Sequence, residues 1–351
     1  MVFSYYLKYP FYNAIWHILK FFRKKKRIIL YCEDAFDVYL FQNVGKYLKD
    51  IEVVAKNKSV KKKLEAHGYT GISTMPAFPD VVIMFRNKAW KFPCKKIKKI
   101  GFTHGAFSFK KHSKAEYFNM FDLFFLTSKK DIENLRALGD TTKLAVAYPK
   151  IDSVFDNNPA SVVPISDWLV EGSNKINLDK KTLFFASTWD GSGMSAIYKW
   201  YDKISLLTER FNLLVSVHEW MSEVYIKALK QNPDVYFIED FDRLKYIKIA
   251  DVCINDTSSL IAECCLFDKP LITFCVADTK RTLPDVVDII KKISVRINDF
   301  EELENAIDFL LQNPDYQARE RKEVAEIFFD KPDGNAGKRA AEMIFELISR
   351  V

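Results

Sequence analysis

Two histidines stand where the sequence could do chemistry. His104 lies in Gly101-Phe102-Thr103-His104-Gly105-Ala106 and His218 in Val217-His218-Glu219-Trp220, each directly after an apolar run. An imidazole titrates near neutral pH, so one standing at a strand end suits proton transfer. Gly105 lets backbone approach a ligand closely. A third segment runs from Asp251 through an apolar strand into Asp256-Thr257-Ser258-Ser259, and an apolar helix follows at once. Ser258 or Ser259 caps that helix. Its free N–H groups and positive dipole end make a seat for phosphate. Glu263, one turn further in, is placed for ribose hydroxyls. A fourth segment carries a strand from Phe184 into the polar loop Ser187-Thr188-Trp189-Asp190-Gly191. Proton transfer next to a bound phosphate is the chemistry these residue types share.

Metal chemistry is less well provided for. Asp240-Phe241-Asp242 has a spacing that ligates divalent cations. It also immediately precedes a helix at Arg243, where aspartate is a common cap and dipole partner, and we read it as that. The five histidines are scattered, and the six cysteines show no Cys-x-x-Cys spacing. The thiols therefore read as reduced, mostly buried small hydrophobes. No metal and no other cofactor is expected.

Elements must hold these residues at strand ends, and the pattern supplies them. Short apolar strands alternate with amphipathic helices from Arg27 to about Ala147 and again from Thr182 to Phe274. That alternation means parallel βαβ units. Between about Asp152 and Asp179 it lapses, with Asn157-Asn158-Pro159, Pro164 and Gly172-Ser173-Asn174. The fold class is thus α/β, with two doubly wound domains in series facing each other across a cleft. The boundaries expected are an amphipathic, basic segment at 1–26, a first domain at 27–175 and a second at 176–351. In open α/β sheets ligands sit beyond the carboxyl ends of the strands, where the candidates above fall.

Charge divides the chain as well. The 351 residues carry a formal net charge of +7, but residues 1–150 hold 29 Lys and Arg against 12 Asp and Glu, a balance of +17, and the remainder stands at −10. A basic half points to a polyanion. Lysine greatly outnumbers arginine there and no nucleic-acid motif occurs, so nucleic acid is not expected as a partner. An anionic membrane surface fits better. Pro10 can open a helix on which Phe11, Ile15, Ile18, Leu19 and Phe22 recur at helical spacing. Trp16 and Lys20 lie beside them, and Arg23-Lys24-Lys25-Lys26-Arg27 follows. Such a segment reads as an interfacial helix. Its order of charge and apolar residues is the reverse of a signal peptide, and no apolar run approaches the roughly 18–20 residues of a membrane span. A peripheral place on the cytoplasmic face of the membrane is expected.

In order along the chain, these pieces resemble the CDP-glycerol glycerophosphotransferases of teichoic-acid and capsule synthesis. His104-Gly105 is similar to that family's first-domain histidine. Ala147-Tyr148-Pro149-Lys150-Ile151-Asp152, Ser187-Thr188-Trp189-Asp190, Val217-His218, Asp251 to Glu263, and Lys331-Pro332-Asp333-Gly334-Asn335-Ala336-Gly337 resemble its later elements. Thr257 stands where the family has Tyr, Ala262-Glu263 where it has Phe-Asp, and Gly337 where it has Ser. The resemblance implies a GT-B-like fold of two Rossmann-like domains. It also implies transfer of a polyol phosphate from a CDP-activated donor to a hydroxyl of a lipid-linked or polymeric glycan acceptor, with CMP leaving. His104 would then be the general base on the acceptor. His218 with Thr188, Asp256, Ser258, Ser259 and Glu263 would hold the donor. Gly105, Lys150, Asp152 and Asp333 would lie near the site. The alternatives are a GT-B glycosyltransferase using a nucleotide sugar, a nucleotide-sugar 2-epimerase and a non-catalytic membrane-surface binding protein.

Overall fold

The computed structural model describes residues 2–106, 115–155, 176–177, 179–279, 282 and 284–349, with side chains from residue 9 onward. They divide into two compact units, one of residues up to 155 together with 330–349, the other of 176–329.

The first unit is built on a seven-stranded sheet. Its strands are β1 (Ile28–Cys32), β2 (Ile51–Ala55), β3 (Ser73–Thr74), β4 (Val81–Met84), β5 (Lys98–Phe102), β6 (Leu123–Leu126) and β7 (Leu144–Val146), in the order β3-β2-β1-β4-β5-β6-β7. All neighbours pair in parallel. Parallel strands are covered on both faces, which is why β4 and β6 are apolar and buried at every position. Helices cover the faces, and Asn57 and Ser128 cap two of them through their side-chain oxygens.

The N-terminal helix spans Val2–Phe22 and contains Pro10 within it, so Pro10 does not open the helix as expected. One face docks on the first unit. The Tyr12 hydroxyl donates to the Ala77 carbonyl at 2.5 Å and Trp16 Nε1 to Pro79 at 2.6 Å. Arg23 reaches the Asp80 carboxylate and the Phe78 carbonyl, and Lys20 pairs with Asp80 at 3.0 Å. Trp16 is therefore core, not surface, because its indole N–H finds a buried partner. Arg27 is turned to Glu52, and Lys26 donates to the Ile348 carbonyl. Among the membrane-facing candidates, Lys24 and Lys25 point to solvent, beside exposed Phe11, Ile15, Ile18, Leu19 and Phe22.

The second unit has six strands, β8 (Lys181–Ser187), β9 (Phe211–Val217), β10 (Val235–Phe237), β11 (Val252–Asn255), β12 (Leu271–Phe274) and β13 (Val295–Ile297). Their order is β10-β9-β8-β11-β12-β13, again all parallel. Leu183, Phe185, Leu213, Val215, Ile254 and Ile272 meet Trp200 and Leu303 in its core.

The terminal helix Ala336–Ser349 corrects the expected boundary at 351. It packs on the first unit, against the helix Phe36–Gly45. The Asp152 carboxylate accepts the backbone N–H groups of Ala336 at 3.1 Å and Gly337 at 2.6 Å, holding the start of that helix. Asp152 is buried, and burial pushes its carboxyl up against those two bonds. A Cβ on Gly337 would fall 2.2 Å from the Asn43 carbonyl oxygen, so the family's serine does not fit here. Asn43 in turn donates to the Pro149 carbonyl, and Lys150 lies buried with its ammonium 5.9 Å over the Phe36 ring. Asp333 pairs with Arg339. Asp152 thus clasps the returning chain end to the first unit, whereas Asp333 is paired within the terminal segment and Lys150 packs beside Phe36. Residues 330–351 carry four charges of each sign, so their return leaves the basic balance of that unit unchanged. Most of the stretch at 152–179 expected to join the domains lies outside the described residues.

Candidate functional site

The strand order of the second unit brings three of the four chemical segments together. The ends of β9, β8 and β11 are neighbours, so His218, Ser187-Thr188 and Asp256-Ser259 share one edge. Asp256 ties them. Its buried carboxylate accepts the Ser187 hydroxyl and the backbone N–H groups of Thr188 at 3.0 Å, Ala196 at 3.1 Å and Thr257. Burial pushes the Asp256 carboxyl up, and these four donors pull against it. Asp256 is therefore spent inward. It was expected to hold the donor, but its geometry makes it the latch that shapes the edge. Thr188 is buried beside it, and Glu263 is buried in the helix Leu260–Leu266.

Ser258 and Ser259 lie half-buried at the start of that helix. The Ser258 hydroxyl accepts the Leu260 N–H at 3.3 Å, and Ser259 occupies the cap position without a side-chain bond. Thr257 donates its hydroxyl to the Met194 carbonyl, which joins the loop after β8 to this turn.

His218 is fixed by backbone on both sides. Its N–H donates to the Ser187 carbonyl at 3.1 Å, its carbonyl accepts from Met221, and its Nδ1 accepts the Trp220 N–H at 3.1 Å. With Nδ1 accepting, a neutral imidazole carries its proton on Nε2 and presents a donor there. The Trp220 ring stands edge-on to His218 at 5.3 Å and to Trp189 at 5.7 Å. Asp190 bonds the Ser222 N–H at 3.0 Å and its hydroxyl, which ties the loop after β8 to the turn after β9. Asp242 behaves as the cap it was read to be. It accepts the Leu244 N–H at 3.2 Å, while Asp240 accepts the Asp242 N–H and pairs with Lys245.

In the first unit His104 stands exposed two residues beyond β5. The Thr103 hydroxyl donates to the Gly105 carbonyl at 2.6 Å and closes the turn that presents it. Sequence reasoning missed what lies two strands away at the same edge. Glu33, after β1, accepts from Tyr31 at 2.6 Å and Lys91 at 2.9 Å and pairs with Lys56 at 2.7 Å. Burial raises the Glu33 carboxyl, but Lys56, Tyr31 and Lys91 outweigh it and hold it down at about 2. Asp37 is wholly buried with Arg86 at 3.5 Å, and burial pushes it up to about 6. The only signal in the sequence was a pair of acids directly after a strand.

The arrangement is two parallel α/β units, with a histidine just beyond the sheet edge of one and, at the edge of the other, a second histidine and a hydroxyl-bearing helix start. The family model for CDP-glycerol:poly(glycerophosphate) glycerophosphotransferases matches residues 97–346, and the chain belongs to that family. It is 24% identical over 233 residues to the teichoic acid poly(ribitol-phosphate) polymerase of Bacillus spizizenii. The match covers 61% of this chain and 34% of that protein, so it spans about a third of the relative's length. Among solved structures, a variant of the wall teichoic acid polymerase TagF soaked with CDPG superposes with a TM-score of 0.68. That match has 14% identity and covers 99% of this chain and 98% of that one. The S. aureus MnaA–UDP structure gives 0.62 at 14% identity, over 93% and 98% of the two chains. A Methanocaldococcus jannaschii UDP-GlcNAc 2-epimerase with UDP-GlcNAc and UDP gives 0.58 at 14%, over 91% and 99%. These likenesses establish the fold, two Rossmann-like domains of the GT-B type.

Proposed function

We propose that this protein transfers glycerol phosphate, or a related polyol phosphate, from a CDP-activated donor to a hydroxyl of a membrane-associated glycan or teichoic-acid or capsule acceptor. CMP leaves. The observation that carries the reading is the edge latched by Asp256, which sets the His218 Nε2 donor and the Ser258-Ser259 turn on the two strand ends that flank β8. Both favour negative charge on a pyrophosphate, without a metal ion being called on. His104 takes the proton of the acceptor hydroxyl as that oxygen bonds to the distal phosphorus. The bond from that phosphorus to the bridging oxygen breaks, and the electron pair leaves with CMP.

Membrane attachment belongs to the same reading. Among the described residues no helix is long and apolar enough to cross a membrane. The outward face of Val2–Phe22, with Lys24 and Lys25 after it, is suited to lie on an anionic surface at the cytoplasmic face. The deciding experiment supplies CDP-glycerol, CDP-ribitol or a UDP-sugar with a glycan acceptor on anionic vesicles and identifies the released nucleotide. CMP release is expected. UDP release from the sugar nucleotide, with CDP-polyols left intact, would replace this reading with a glycosyltransferase.

A further inference from the structure

The edge of the second unit carries a feature that phosphate chemistry does not use. Trp220 leaves 61% of its surface exposed directly beyond β9. An indole that open forfeits burial, so its placement needs another reason. It is also held firmly. Its backbone N–H is bonded to His218 Nδ1, its ring packs edge-on against Trp189, and the Asp190–Ser222 bonds join the two loops that bear the rings. Gly191 is shaped to this arrangement, because a Cβ there would meet the Trp189 ring at 2.5 Å. Two indoles at 87° make a rigid corner, a floor and a wall.

We infer that this corner is a subsite for a neutral pyranose ring of the glycan acceptor. The inference rests on the transferase reading above and names the acceptor's chemistry. A sugar ring has one apolar C–H face and a rim of hydroxyls. The electron-rich face of an indole accepts the C–H face, and polar groups at the border take the rim. Here the border is His218, Glu219 and the Asp190–Ser222 pair. A nucleobase is the competing occupant. Bound nucleotides have most of their surface enclosed, whereas this corner is open to solvent, as admission of one ring of a longer chain requires. It also adjoins the histidine assigned to the donor phosphates, where the attacked phosphorus and the acceptor must meet.

The test is binding, without transfer. Indole fluorescence of the full chain is titrated with cellotriose, maltotriose and chitotriose, and CMP binding is followed separately by thermal shift. At least one trisaccharide is expected to perturb the indole signal. Trp220→Ala should weaken it about ten-fold, the scale of one aromatic contact, while Trp220→Phe retains part of it and CMP binding stays unchanged. Absence of saccharide binding, or binding indifferent to Trp220→Ala, overturns the inference. Loss of CMP binding in Trp220→Ala also overturns it and assigns the corner to the base. Saccharide binding that survives a failure to release CMP from CDP-glycerol would count against the donor assignment and leave the corner standing.

Discussion

The carboxyl edges of the two sheets use charge in opposite ways. In the first unit the charged side chains pair with one another, Glu33 with Lys56 and Lys91, and Asp37 with Arg86. Outside those pairs His104 stands exposed on its turn. In the second unit one buried carboxylate, Asp256, gathers backbone and hydroxyl donors, and the groups it arranges are amides, hydroxyls, an imidazole and indoles. Among the described residues, the unit with the basic balance thus pairs its edge carboxylates with cations, and the acidic unit lines its edge with uncharged donors. Bulk charge and local chemistry are separate designs. In the function proposed above, the first draws in a surface or polymer over a distance, and the second seats a phosphate by geometry.

The largest effects should come from the two histidines, and they should differ in kind. His104→Ala is expected to lower kcat by about 10²–10⁴ with CMP affinity unchanged, as loss of a general base does. His218→Ala is expected to lower kcat by about 10²–10³ and to weaken CMP as well, since it removes a donor to the phosphates. Steady-state rates together with CMP titrations separate the two. Equal patterns would mean that the two edges do not divide proton handling from charge handling.

Next comes the latch. Asp256→Ala leaves the N–H groups of Thr188, Ala196 and Thr257 buried without their acceptor. A loss of about 3–5 kcal/mol is expected by urea unfolding, with donor binding lost in parallel. Asp256→Asn keeps one carbonyl acceptor and should fall between the alanine variant and the wild type. Glu33→Gln, by contrast, keeps a carbonyl acceptor for its Tyr31 and Lys91 partners and frees a lysine, Lys56, that is already well exposed, so it should cost less than Asp256→Ala. A reversed order would show that the first edge, not the second, is the more tightly organised.

Much of the fold and part of the site are legible in the amino-acid sequence. Apolar runs without alternation mark buried parallel strands, and candidate residues placed just after them do fall on sheet edges. Asp242 is readable as a cap because capping is local. What cannot be read depends on long-range pairing. Asp256 looks like a ligand group because nothing nearby in sequence shows that Ser187, Thr188 and Ala196 return to it from some sixty to seventy residues away. Trp16 looks interfacial for the same reason, since its partner at Pro79 is 63 positions distant. The terminal helix is assigned by sequence order to the unit it follows, although Asp152 and the close approach at Gly337 bind it to the other. β13 has three residues and the helix Ala318–Phe328 is mostly charged outside Val324 and Phe328, so neither gives a periodic signal.

The smallest expected effect bears on the first edge alone, through pH. Glu33 is held at about 2 against an ordinary value of 4.5, so its contribution to stability is complete above 4.5 and is lost as pH falls toward 2. Asp37 is raised to about 6 from 3.8, so its contribution is complete below 3.8 and is lost as pH rises through 6. The two groups lie four residues apart and are linked, because the Asp37 carboxylate accepts the Glu33 N–H at 2.8 Å. Urea midpoints measured from pH 3 to 7 should therefore shift in opposite senses. In Glu33→Gln the acid-side decline becomes shallower than in the wild type. In Asp37→Asn the decline between about pH 4 and 6 becomes shallower, since the amide cannot ionise. If both variants flatten the same limb, the two carboxylates share one titration, and the first edge is a single coupled cluster rather than two separate pairs.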